Sequence, residues 1–228
     1  MFENKKVFIL GMARSGYESA KVLSHRGCKV LVTDMSEQNE DQVKELESLG
    51  VKVVITKDQV SLLDDSYDYL VKNPGIKLDA PVVVKAQELG IKVVSEVEVA
   101  YSLMDGVNII GITGSNGKTT TTTLIYEILK EDKQNVFLGG NIGFPVCSLV
   151  EKAKKGDILV LEISGHQLHD CYNFKTNVSV MTNLSEVHID HFGTYDFYKE
   201  NKAKEDNNTE NNSPINYEQI LSWQPSQN

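Results

Sequence analysis

Six consecutive residues, Gly114-Ser-Asn-Gly-Lys-Thr119, combine the side-chain types that grip phosphate. Two glycines let the backbone come close to an anion and turn its N–H groups inward. A helix that starts there adds the positive end of its dipole. Lys118 can reach the outer phosphates of a nucleotide, and the Thr119 hydroxyl can ligate Mg²⁺. An ordinary strand-to-helix turn needs neither the paired glycines nor the Lys-Thr step. The common phosphate loop reads G-x-x-x-x-G-K-[ST]. Here the residue five before Gly117 is Ile112, so the loop is the shorter T-G-x-x-G-K-T form. That spacing points away from GTPase switches and motor ATPases and toward ATP-dependent ligases. Gly114, Ser115, Asn116, Gly117, Lys118, Thr119 and Thr120 are the expected nucleotide-binding residues.

A second glycine turn, Gly11-Met-Ala-Arg-Ser-Gly16, follows an apolar run and precedes a helical pattern. The dinucleotide fingerprint is G-x-G-x-x-G with an acid near the end of the next strand. Asp34 stands where that acid belongs, but Ala13 replaces the middle glycine and crowds a pyrophosphate. The turn therefore admits a nicotinamide cofactor, or another nucleotide whose diphosphate sits differently. Asp34 can equally cap a helix from a strand end. Glu162 closes the apolar run 158–163, where its carboxylate can face the loop around Lys118. With Thr119 it would hold one Mg²⁺ by hard oxygen ligands. A strand-end surface acid is the alternative.

Strands must present these groups. Apolar runs predict strands at 6–10, 29–33, 51–55, 67–71 and 91–94, with helices at 17–25, 41–49, 80–89 and 96–104. Alternation of this kind gives a parallel sheet with helices on its faces. Asp105-Gly106 is a natural break. Beyond it, strands are expected at 107–112, 135–138, 157–163 and 177–182, and helices at 118–131, 144–154 and 195–204. The fold class expected is α/β. A Rossmann-like parallel-sheet domain spans 1–105, and an incomplete P-loop ATP-binding α/β domain spans 106–204. Residues 205–228 hold six Asn, three Gln, four acidic residues and no Lys or Arg. Such a composition cannot bury enough apolar surface to offset its ordering entropy, so a disordered tail is expected.

The 228 residues are 40% apolar, enough for a core, and no run approaches the ~18 apolar residues of a membrane span. A net charge of −9 argues against nucleic acid or an anionic membrane as the main partner, although a local cradle overrides a global sign. The N-terminus lacks a signal-peptide pattern, so a cytoplasmic location is expected. Cys28, Cys147 and Cys171 form no CxxC and read as reduced structural thiols.

Taken in order, Gly11-Met-Ala-Arg-Ser-Gly16, Asn73-Pro-Gly-Ile76, Thr113-Gly-Ser-Asn-Gly-Lys-Thr119, Gly139-Gly-Asn-Ile-Gly143, Leu161-Glu-Ile-Ser-Gly-His-Gln-Leu168, Asn183-Leu-Ser-Glu-Val-His-Ile-Asp-His191 and Tyr198-Lys-Glu-Asn-Lys-Ala203 resemble the motifs of the Mur ligases of peptidoglycan synthesis. The resemblance covers residues 1 to about 204. It implies an ATP-dependent amide ligase, and within the family the branch that joins D-glutamate to UDP-N-acetylmuramoyl-L-alanine through an acyl phosphate. It implies catalytic roles for Lys118, Glu162, His188 and Lys202. Thr119, Glu162, His188 and Lys202 would be the Mg²⁺ ligands, with Lys202 carried as a carbamate formed with CO₂. It implies a UDP-sugar site of Arg14, Ser15, Asp34, Gly75 and, from the second domain, Asn141. One departure stands out: the family's Ser-Ser-Phe-Gln-Leu is Ser164-Gly-His-Gln-Leu168 here. Relatives continue for over ~200 more residues and place most of the D-glutamate site there, so little ligase turnover is expected from this chain. Full-length relatives are expected to be monomeric. An unfinished second sheet would expose a strand edge and favour self-association. The alternatives are a catalytically silent UDP-sugar and nucleotide-binding module, or a nicotinamide-dependent protein using the first turn.

Overall fold

The structure, a computed structural model, describes residues 1–132 and 134–183. His188, Lys202, the helix expected at 195–204 and the tail lie outside the described residues.

The first sheet contains β1 (Lys6–Leu10), β2 (Lys29–Asp34), β3 (Lys52–Ile55), β4 (Tyr69–Lys72) and β5 (Lys92–Val94). All its pairings are parallel, in the order β3-β2-β1-β4-β5. The connecting helices are α1 (Arg14–His25), α2 (Glu40–Ser48) and α3 (Pro81–Glu88). Then α4 (Glu96–Leu103) leads to the second sheet. That sheet is built from β6 (Asn108–Thr113), β7 (Val136–Gly140), β8 (Ile158–Glu162) and β9 (Val178–Met181), again all parallel, in the order β7-β8-β6-β9. Helix α5 (Lys118–Glu131) follows β6, and the short α6 (Gly165–His169) follows β8. Among the described residues, β9 pairs only with β6.

Consecutive buried residues in β1 explain its central place. Val7 and Ile9 enter one core, and Phe8 and Leu10 enter the other, as a strand covered on both faces requires. The first of these cores continues into the second sheet, taking in Leu159, Leu161 and Ile163. The two sheets therefore share apolar packing through α1 and α4.

Two expectations change. The helix begins at Arg14 rather than 17, so the first glycine turn is tighter than its spelling implies. The helix expected at 144–154 is only a 3-10 turn at Val146–Leu149. Val146, Cys147, Leu149 and Val150 are all buried there. A surface helix cannot turn four such close neighbours inward, whereas a wedge between the two domains can. This wedge packs on α1, α4 and β7.

Buried polar groups cross the same junction. Lys72 Nζ lies 3.1 Å from Asp170 Oδ2, with both side chains almost fully buried. Burial would raise the Asp170 carboxyl, but the His169 hydrogen bond and the Lys72 charge outweigh it and hold it below its ordinary range. Glu98 is fully buried and accepts the backbone N–H groups of Tyr172, Asn173 and Phe174. Glu96 accepts the Cys147 N–H across the interface, while its Oε2 has no partner among the described residues. Burial pushes the Glu96 carboxyl up to about 7.

Candidate functional site

Those expected site residues that lie among the described ones sit at the carboxyl edges of the two sheets. In open α/β sheets a crevice forms there, where the strand order reverses. The first reversal lies between β1 and β4, and the second between β6 and β9.

At the second, β6 ends in the loop that carries Lys118. Gly114 has φ of +140°, and a Cβ on it would come within 2.1 Å of Thr182 Oγ1. Only glycine lets the end of β9 close against this loop. Gly117 has φ of +78° and opens α5 without a side-chain cap. The first N–H groups of α5 have no acceptor within the helix, as at every helix start. Helix α1, which opens from the first glycine turn, also lacks a side-chain cap. By contrast α2, α4 and α6 are capped by Asn39, Ser95 and Ser164. Helix α3, entered through Ala80 and Pro81, lacks a side-chain cap as well, so this feature is shared by α1, α3 and α5.

Lys118 Nζ folds back over the loop and donates to the carbonyls of Gly114 and Ser115, each at 2.9 Å. Thr119 Oγ1 donates to Glu162 Oε2 at 2.7 Å, and Asn141 Nδ2 donates to Glu162 Oε1 at the same distance. Glu162 is 1% exposed. A buried carboxylate beside a hydroxyl, at the mouth of a phosphate loop, is an oxygen donor pair suited to Mg²⁺. Thr119 and Glu162 therefore fit that ion. Asn141, expected to approach a sugar, is here a partner of Glu162.

At the first edge, Asp34 Oδ2 accepts the Met12 N–H at 2.8 Å and Oδ1 accepts the Ser36 N–H at 3.0 Å. Asp34 braces the first glycine turn rather than capping a helix. Arg14 donates to the Gly143 carbonyl at 2.5 Å, which joins the first turn to the Gly139-Gly143 segment of the second sheet. Ser15 stands in the first turn of α1. Gly75 is exposed, with nothing within 4 Å of a built Cβ. Among the described residues no disulfide forms: Cys147 and Cys171 are buried and Cys28 is half-buried.

Sequence reasoning assigned no role to Lys72, Glu96, Glu98 or Asn183. The first three are charged residues buried by tertiary packing, and nothing local marks them. Asn183 had one signal. It follows the strand that borders β6, where its side chain can reach the loop.

Residues 5–95 match the family described as Mur ligase MurD-like, N-terminal domain, and residues 112–215 match the Mur ligase middle domain. Among solved structures, the UDP-N-acetylmuramate-alanine ligase MurC of Thermotoga maritima is similar with a TM-score of 0.55. It is 21% identical and covers 90% of this chain and 47% of its own. A UDP-N-acetylmuramate:L-alanyl-gamma-D-glutamyl-meso-diaminopimelate ligase from Neisseria meningitides gives 0.53 at 18% identity, covering 90% of this chain and 68% of its own. At such identities these two show the fold alone. The parallel sheets, the T-G-x-x-G-K-T loop and the two domain matches together define the class: the chain belongs to the Mur ligase family.

Its relatives by sequence narrow the branch. The UDP-N-acetylmuramoylalanine–D-glutamate ligase of Geobacillus kaustophilus is 45% identical over 203 residues, which is 89% of this chain and 45% of that protein. The enzyme of the same name from Streptococcus pyogenes serotype M1 is 45% identical over 199 residues, 86% of this chain and 44% of its own. The chain thus spans about half the length of these relatives. No helix among the described residues is long and apolar enough to cross a membrane.

Proposed function

We propose that this chain carries the UDP-sugar and ATP sites of a cytoplasmic ligase that joins D-glutamate to UDP-N-acetylmuramoyl-L-alanine. The observation that carries the reading is the Thr119–Glu162 hydrogen bond at the mouth of the Lys118 loop. The 45% identity to ligases of that name supports the choice of substrate. In this reading the substrate carboxylate attacks the γ-phosphorus of ATP, ADP leaves and an acyl phosphate forms. The D-glutamate amine then attacks the acyl carbon, phosphate leaves and the nitrogen loses a proton. Two anions must meet in the first step, so the site needs cationic and N–H donors more than a base.

The N–H groups at the start of α5 would receive the β-phosphate. Lys118 would exchange the Gly114 and Ser115 carbonyls for phosphate oxygens. Thr119 and Glu162 would hold Mg²⁺, which supplies charge neutralisation when bound, and Asn141 would keep Glu162 oriented. His188 and a carbamylated Lys202 would complete the metal ligands. Arg14, Ser15, Asp34 and Gly75 would line the UDP-sugar site. Here Asp34 suits a neutral donor such as a ribose hydroxyl or uracil N–H, while Arg14 suits the diphosphate.

The test is a fluorescence titration of the full 228-residue chain with N-methylanthraniloyl-ATP, with and without Mg²⁺. Saturable binding that Mg²⁺ strengthens and Glu162→Gln makes insensitive to Mg²⁺ is expected. Binding indifferent to Mg²⁺ in the unsubstituted chain would sink the metal assignment.

A further inference from the structure

Asn183 opens the motif that contains His188, yet no chemistry is assigned to it. Its side chain and backbone both bond to the loop around Lys118. Its side-chain Oδ1 accepts the Asn116 N–H at 2.9 Å, and its Nδ2 donates to the Asn116 carbonyl at 2.8 Å. Its own carbonyl accepts the Ser115 N–H at 2.9 Å. The neighbouring Thr182 hydroxyl donates to the Asn116 carbonyl at 2.6 Å, so both lone pairs of that oxygen are taken. These bonds reach across the reversal between β6 and β9, from one strand end to the loop on the other.

The loop is thereby divided. Ser115 and Asn116 point their N–H groups at Asn183, while α5 begins at Lys118 without a side-chain cap. An amide side chain matches a peptide edge for edge, donor to acceptor and acceptor to donor. Aspartate has the same shape but would set a second oxygen against the Asn116 carbonyl. Asn116 is itself exposed, so without this clasp its peptide would be solvated and free to rotate.

We propose that Asn183 is a positioning residue for the nucleotide loop. Its side chain clasps the Asn116 peptide and so sets which N–H groups a triphosphate meets. The inference deepens the nucleotide reading above and rests on it for its ligand, while the clasp itself can be measured without any ligand.

Amide exchange in the unsubstituted chain comes first. The exposed Asn116 amide should exchange at least tenfold slower than an unstructured amide, and Asn183→Ala should remove most of that protection. Phe8 and Ile9 in β1 should keep theirs. Titration with N-methylanthraniloyl-ATP and Mg²⁺ follows. Asn183→Ala should weaken binding about tenfold, the loss expected from two uncharged hydrogen bonds. Asn183→Asp should weaken it further, and Lys118→Ala provides the reference. An unprotected Asn116 in the unsubstituted chain overturns the proposal even where the variants fail to fold. So does full nucleotide affinity in Asn183→Ala when Lys118→Ala has lost it. Should Lys118→Ala leave affinity unchanged, the nucleotide reading is what fails. Asn116 protection and its loss in Asn183→Ala then decide the clasp alone.

Discussion

The two glycine turns occupy equivalent places, each at the carboxyl end of a strand beside the reversal of its sheet, yet they are finished with opposite chemistry. A carboxylate, Asp34, accepts an N–H of the first turn. A neutral amide, Asn183, accepts an N–H of the second, and a lysine ammonium lies over it. The first edge therefore presents the Asp34 carboxylate with the exposed Arg14 near it, while the second presents the Lys118 ammonium over its loop and keeps its carboxylate, Glu162, buried. Topology builds both crevices. The residues arriving from the neighbouring strands, Asp34 and Asn183, decide which N–H groups of each turn are occupied.

This contrast requires that the two edges be held together, and the buried Lys72–Asp170 pair does so. Removing one partner leaves a buried charge uncompensated, so Asp170→Ala should cost about 3–5 kcal/mol in a denaturant melt. It should weaken both UDP and nucleotide binding at once. A variant that loses neither would show that the two edges act independently.

Glu96 sits in the same junction and gives it a pH dependence. Its carboxyl titrates near 4.5 in the unfolded chain and at about 7 in the folded one. The unfolded state loses this proton first, so stability from this group is fully present below 4.5 and falls as pH rises to 7. The Glu18 carboxylate on α1 works in the same direction, while the Cys147 N–H opposes it. Glu96→Gln keeps the acceptor for Cys147 without the charge. It should raise stability at pH 8 by about 3 kcal/mol and flatten the melting-temperature profile between pH 4.5 and 7.

Lys118→Ala separates the two edges most directly. Loss of a charged donor to phosphate should weaken nucleotide binding ~10–100-fold, with UDP binding unchanged by calorimetry. Equal losses of both would mean that the edges are not chemically distinct. The smallest effect is expected at Gly75, whose surroundings are open and whose φ lies outside the left-handed region. Gly75→Ala should shift stability by less than about 0.5 kcal/mol. A larger loss of UDP binding than of stability would place the substrate against that backbone.

Much of the framework was legible locally. The strand at 6–10 and the helix at 118–131 agree with their sequence patterns to the residue. A buried parallel strand is a short apolar run, and a phosphate loop is a contiguous spelling. The segment 144–154, expected as a helix, holds only a 3-10 turn because the structure buries its apolar residues together as a wedge. The hydrogen bond from Asn141 to Glu162, 21 residues away, has no local signal in the sequence.

The sequence alone determined the class of fold, the two glycine turns, the Lys-Thr pair and the strand-end acids, because each depends on neighbours a few positions away. Only the tertiary structure decided which N–H groups Asp34 and Asn183 occupy, that Glu162 meets Thr119, and that Lys72, Glu96 and Glu98 are buried where the sheets join. Those outcomes depend on strand order, and strand order brings together residues 22 to 98 positions apart. No local pattern carries that information, because the contacts exist only once the sheets have closed.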